Sequence, residues 1–207
     1  MRQLLGRANS SNVMKVIWLL EELELPYERS DVGGPYGRTD TPDYRAMNPT
    51  GRVPTLVEDG WALWESNAIL RYLCAAYAPS NPMWPEDHRA RADVDHWMDW
   101  QQASLNRPQS VVFQGLVRTP PERQDTAAIK AAAVELAEHW SLLDRAMTGR
   151  DYVAGPGLTL ADMALGVHVH RWFAFDLERP ATPHLRAWYE RLLKRSAYAA
   201  HVAQPMT

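Results

Sequence analysis

Val53-Pro54-Thr55-Leu56-Val57-Glu58-Asp59-Gly60-Trp61-Ala62-Leu63-Trp64-Glu65-Ser66 is the stretch on which the reading of this chain turns. Pro54 has no N–H and does not fit a sheet centre, so Val53 before it keeps its own N–H and C=O open or offers them to a partner. Asp59-Gly60 closes a tight hairpin between Thr55-Leu56-Val57 and Ala62-Leu63-Trp64. Glu65-Ser66 then opens a helical run in which Ala68, Ile69, Tyr72, Leu73 and Ala76 share a buried face. A free backbone edge, a helix N-terminus and a carboxylate therefore fall close together, an outline suited to holding a peptide.

Upstream of that stretch, strand and helix signals alternate. Gln3-Leu4-Leu5 reads as a short strand, and Asn12 to Leu23 as a helix with Val13, Val16, Ile17 and Leu20 on one face. Pro26 ends it. Tyr27 to Val32 alternates as a second strand, Gly33-Gly34-Pro35-Tyr36-Gly37 is a loop, and a short helix spans Pro42 to Met47. With the hairpin and the helix from Ser66 to Tyr77 the order is βαβαββα, which requires a mixed sheet.

Downstream, Ala78-Pro79-Ser80-Asn81-Pro82-Met83-Trp84-Pro85 has three prolines and no periodicity, the signature of a linker. The expected division is an α/β domain over 1–78, a linker over 79–87 and an all-helical domain over 88–207. Within the latter, helices are expected from Ala90 to Leu105, broken by Arg107-Pro108, then from Gln109 to about Leu116 and from Thr126 to Met147. Thr159-Leu160-Ala161-Asp162 is a capping box with Asp in place of the usual Glu, and Pro183 opens the last long helix.

Composition narrows the function classes. The 207 residues suit one or two domains, and nine tryptophans supply ample core. A net charge of -3 and the lack of any Lys/Arg run argue against nucleic acid as a partner. Cys74, the single cysteine, allows neither an internal disulfide nor a C-x-x-C pair and reads as helix core. The longest apolar run near the start, Val16-Ile17-Trp18-Leu19-Leu20, is shorter than the roughly 7–15 residues of a signal-peptide core, so neither a signal peptide nor a membrane span is expected. A cytoplasmic location follows as the expectation. His168 and His170 stand two apart on a helix and cannot face one ligand, so no metal site is expected and both read as surface or core residues. Trp97, Met98 and Trp100 read as core.

These motifs, in this order and spacing, resemble the cytosolic glutathione transferases over essentially the whole chain. The pieces that carry the resemblance are Asn48-Pro49-Thr50-Gly51-Arg52-Val53-Pro54-Thr55-Leu56, Glu65-Ser66-Asn67-Ala68-Ile69 and Leu158-Thr159-Leu160-Ala161-Asp162. The resemblance implies a thioredoxin-like first domain with a cis Val53–Pro54 bond, an all-helical second domain, a homodimer, and glutathione as substrate with no metal. It also implies roles. Val53 pairs its backbone with the cysteinyl part of glutathione as an added strand would. Ser66, at a helix N-terminus, receives the γ-glutamyl carboxylate, and Glu65 holds the ammonium. Arg52 contacts the glutathione backbone. Thr39 stands where relatives place a residue for the glycyl carboxylate, which Arg38 could also reach. The plainer reading of Glu65 and Ser66 is a solvated charge and a helix cap.

For the thiol, the segment Gly6 to Val13 contains no Tyr and no Cys, which leaves a serine-type site within the family. Counting back from Val16, which matches the family's helix valine, the resemblance puts the activating hydroxyl on Ser10, with Ser11 as the alternative and Asn12 as a second donor to the sulfur. The plainer reading is that all three only cap the helix. By the same resemblance, Arg107, Phe113 and residues near them border a pocket for a small hydrophobic electrophile. The expected activity is glutathione S-transfer for detoxification. The alternatives are a glutathione-dependent disulfide reductase or peroxidase, and a non-catalytic interaction module of the same fold.

Overall fold

The computed structural model describes residues 1–207. Four strands, β1 (Arg2–Leu5), β2 (Glu28–Ser30), β3 (Thr55–Glu58) and β4 (Trp61–Trp64), form one sheet in the order β2-β1-β3-β4. β1 runs parallel to β2 and antiparallel to β3, with Leu4 opposite Leu56, and β3 pairs antiparallel with β4, with Leu56 opposite Leu63. The sheet is mixed, as the element order requires. At the β3–β4 turn Asp59 (φ 49) and Gly60 (φ 84) are both left-handed, the backbone of a two-residue hairpin. Tyr27, Asp31 and Val32 fall outside β2. It is an edge strand three residues long, and beyond Ser30 the chain leaves the ladder with only Arg7 N–H donating to Val32 C=O.

Helices α1 (Ser11–Glu22), α2 (Pro42–Met47) and α3 (Ser66–Tyr77) complete the first unit. α1 buries Val13, Val16, Ile17 and Leu20 as the periodicity predicts, and also Lys15, which it does not. A helical unit follows: α4 (His88–Trp100), α5 (Asn106–Phe113), α6 (Thr126–Ala146), α7 (Leu160–Ala174), α8 (Pro183–Leu193) and α9 (Ser196–His201). The break expected at Arg107-Pro108 does not occur. α4 passes into α5 through a wide π turn, Gln101–Leu105, where Asn106 N–H donates to Gln101 C=O, so the ladder is already loosened when the Pro108 ring arrives. A second wide turn, Gln114–Arg118, prolongs α5. The six-residue α9 carries one buried anchor, Tyr198, too weak a pattern to read from sequence.

The two units share one core. Leu4 and Leu56 of the sheet, Val16 and Trp18 of α1, and Trp172 and Trp188 of the helical unit belong to a single cluster of buried side chains. Asp162 is its polar hub: Val153 N–H, Thr159 N–H and hydroxyl, and Trp188 Nε1 donate to it at 2.8–2.9 Å. Cys74 and Met98 are fully buried and His168 nearly so. No helix is long and apolar enough to cross a membrane.

Candidate functional site

The motif Asn48 to Thr55 is a loop braced from within. Asn48 Nδ2 donates to Arg52 C=O (2.8 Å) and Thr55 Oγ1 (3.0 Å), while its Oδ1 accepts from Thr50 N–H and hydroxyl. Tyr44 on α2 donates its hydroxyl to the same Arg52 C=O at 2.6 Å. Arg52 C=O is thus doubly engaged, whereas the neighbouring Val53 N–H and C=O enter no backbone hydrogen bond. The Val53–Pro54 bond is cis. A half-buried residue with both backbone groups open is a ready partner for an extended peptide.

Val53 is one wall of a cavity of about 390 Å³. Ser10, Ser11, Asn12, Thr39 and Arg52 line it too, so the residues assigned to glutathione in this part of the chain converge there from three loops and a helix start. Ser10 is the residue before α1, with extended backbone (φ -82, ψ 125) and no side-chain cap bond, so its hydroxyl is available at the positive end of the helix. Asn12 Oδ1 accepts from Ser66 Oγ at 3.2 Å, which fixes the amide and leaves Nδ2 as a donor.

Glu65 and Ser66 adjoin this cavity through that bond and are not among its lining residues. Ser66 is buried, while Glu65 is exposed with φ 71 and ψ 109. A left-handed non-glycine residue costs about 1–3 kcal/mol and persists where its surroundings demand it, often at a binding site. Beneath it lies Lys15, whose Nζ donates to Gln101 Oε1 (2.7 Å) and Asn67 Oδ1 (3.3 Å). Burial drags the Lys15 ammonium down to about 7, opposed by the pull of Glu65. His168, hydrogen-bonded to Gln101, is held neutral by burial and by Lys15.

Residues 9–76 match the family of glutathione S-transferase N-terminal domains, and residues 126–191 that of the C-terminal domains. Glutathione S-transferase GstB of Escherichia coli K12 is 39% identical over 204 residues, 98% of each chain. This chain belongs to the glutathione S-transferase family. The transferase also resembles a solved theta class glutathione S-transferase of the citrus canker pathogen Xanthomonas axonopodis pv. citri with glutathione bound, at 43% identity and a TM-score of 0.95, covering 100% of this chain and 99% of that one. Glutathione S-transferase 3 of Zea mays is 30% identical across 97% of this chain and 93% of that one.

Against the sequence reading, Phe113 lines the cavity but Arg107 is exposed and does not, because the unbroken α4–α5 rod turns it outward. Asn106, Ser110 and Gln114, near Phe113, line the cavity as well, and it also gathers Arg7, Asn9, Arg118 and Arg171, which the sequence did not single out. Gly34 (φ 60) admits Arg7: a Cβ there would stand 2.8 Å from Arg7 Nε. Val53 and Phe113 are the two hydrophobic residues of the 17 in the lining, little apolar wall for a hydrophobic electrophile.

Proposed function

We propose a division of labour for the transferase reaction. Ser10 donates its hydroxyl to the glutathione sulfur, favouring thiolate over thiol, and Asn12 Nδ2 supplies a second donor. Val53 pairs its backbone with the cysteinyl unit. Ser66 N–H and hydroxyl receive the γ-glutamyl carboxylate, Glu65 holds the ammonium, and Arg52 with Thr39 serves the glycyl end. The observation that carries this reading is the Ser10 hydroxyl, unpaired at the N-terminus of α1 and facing the same cavity as Val53. Ser11, one residue on and also in the lining, is the control position.

The chain is divided here into a thioredoxin-like unit over 1–78, a connector over 79–87 and a helical unit over 88–207. A cytoplasmic homodimer acting in detoxification completes the proposal. Its dimer axis passes α3 and α4, where Arg71 reaches from α3 to Asp95 and Asp99 on α4 within one subunit. Symmetric pairing through one surface patch is the commonest oligomer geometry. Retention on immobilised glutathione followed by a panel of electrophiles, disulfides and hydroperoxides tests the activity, and a monomer by sedimentation at micromolar concentration would remove the dimer.

A further inference from the structure

Four arginines line the cavity, Arg7, Arg52, Arg118 and Arg171, and no aspartate or glutamate does. Arg52 stands with Thr39 at the end assigned above to glycyl carboxylate. The other three come from the β1–α1 loop, the turn after α5, and α7, yet they cluster. Arg118 and Arg171 lie over the ring of Phe113 at 5.0 and 4.0 Å. Arg7 Nη1 donates to Asn9 Oδ1 (2.7 Å) and Arg171 Nη2 to Asn9 C=O (3.4 Å), while Arg118 Nη2 reaches Thr207 C=O (3.1 Å). None of the three pairs with an aspartate or glutamate side chain.

Such a cluster is costly. Arg171 is only 8% exposed and Arg7 Nε is buried with no hydrogen-bond partner. Burial and then mutual repulsion push Arg171 down to about 10, and burial with the charge of Arg118 lowers Arg7. The chain as a whole carries an excess of acid groups, net charge -3, and pairs other arginines closely, Arg2 with Glu58 and Arg195 with Glu22. Three guanidiniums at one wall with no acidic side chain beside them are therefore a local feature that an anion would relieve, and the planar guanidinium fork matches a carboxylate bidentately.

We infer that the second substrate is an electrophile bearing a carboxylate, held by Arg7, Arg118 and Arg171 with its reactive carbon toward the sulfur site at Ser10. This inference rests on the transferase reading and replaces the purely hydrophobic electrophile expected from the sequence. Both carboxylates of glutathione have other seats in that reading, so the arginine wall is left for the partner. With an aryl chloride the step balances simply: the sulfur–carbon bond forms, the carbon–chlorine bond breaks, chloride leaves and the thiol proton goes to solvent.

The test compares a chloronitrobenzoate with the matching chloronitrobenzamide, the same ring and leaving group with and without the charge. Each kcat/KM is divided by its uncatalysed rate with glutathione. The wild type is expected to favour the acid by about tenfold or more, less at high salt, and Arg118→Gln and Arg7→Gln to bring the ratio toward unity. A wild-type ratio at or below unity overturns the inference, while turnover of the amide leaves the transferase reading standing. Calorimetric binding of unreactive nitrobenzoate and nitrobenzamide to the glutathione-loaded protein gives a readout without chemistry. Benzoate binding about tenfold tighter, with the advantage lost in Arg118→Gln, supports the anion site even if neither ring is conjugated, a result that would instead count against the transferase reading. Equal binding of the two overturns it.

Discussion

Replacing Ser10 by alanine isolates the proposed activation of the thiol. The Ser10 hydroxyl makes no cap bond in the fold, so the substitution leaves no internal donor or acceptor stranded, and its cost to stability falls at the low end of the usual 0.5–2 kcal/mol for a lost cap. A hydrogen bond to a charged acceptor is worth about 1.5–3 kcal/mol, and each pKa unit corresponds to about 1.36 kcal/mol, so losing it raises the pKa of bound glutathione by roughly one to two units. Because Asn12 Nδ2 and the first N–H groups of α1 remain, the lower half of that range is expected. Once the thiol pKa exceeds the working pH, each further unit removes about nine-tenths of the thiolate, so turnover at neutral pH falls about tenfold while glutathione affinity changes little. The assay is the thiolate absorbance of bound glutathione titrated against pH in wild type, Ser10→Ala and Ser11→Ala. If Ser11→Ala moves the midpoint and Ser10→Ala does not, the assignment is wrong by one residue. If neither serine nor Asn12→Ala moves it, side-chain donors do not stabilise the thiolate.

Glu65→Ala is expected to raise the Michaelis constant for glutathione ten- to hundredfold with kcat nearly constant, because an ammonium contact is made equally in ground and transition states; an unchanged constant would show that Glu65 points elsewhere. Lys15 gives a pH signature: its folded pKa of about 7 lies below the lysine value of 10.5, so above pH 7 the unfolded chain binds the extra proton and this group adds stability as pH rises toward 10.5. Denaturant unfolding should therefore show wild type gaining on Lys15→Met between pH 7 and 9, and a constant difference would mean that the buried amine does not titrate there. Gly166→Ala should destabilise by about 1–3 kcal/mol despite alanine's higher helix propensity, since the new Cβ would stand 2.8 Å from the ring of fully buried Trp18; a rise in melting temperature would show that α1 can give way.

Much of this fold was legible because its signals are local. The Asp59-Gly60 turn, the prolines after α3, the Thr159–Asp162 box and the 3.6-residue stripes of α1, α3 and α6 each declare an element within a few residues. The Pro108 error came from applying a sound local rule where a π turn, invisible in the sequence, had already released the backbone. Lys15 was missed for a related reason: its partners Asn67 and Gln101 lie 52 and 86 residues away, and nothing beside it marks a buried amine. The residues proposed to face glutathione were singled out through motif and spacing. Arg7, Arg118 and Arg171 were not, because three arginines scattered through a weakly acidic chain read as ordinary surface until the fold brings them to one ring.

The cavity can also be understood from what the fold leaves unpaired. Around it Asn48, Tyr44 and Thr55 satisfy one another and hold Arg52 C=O, so that Val53 alone in that loop keeps both backbone groups open. Ser66 fixes the Asn12 carbonyl oxygen and so leaves its amide nitrogen free. Orphaned polar atoms occur elsewhere too, on Trp140 and Trp172, but those two rings stack on each other at 6.5 Å inside the core, where no ligand can reach. What distinguishes the cavity is that its open donors, the Val53 N–H, the Ser10 hydroxyl and the Asn12 amide, belong to residues that line it. The lining holds four cations and no carboxylate, and that imbalance favours ligands that bring negative charge, as the thiolate proposed at Ser10 and the anion proposed at the arginines do.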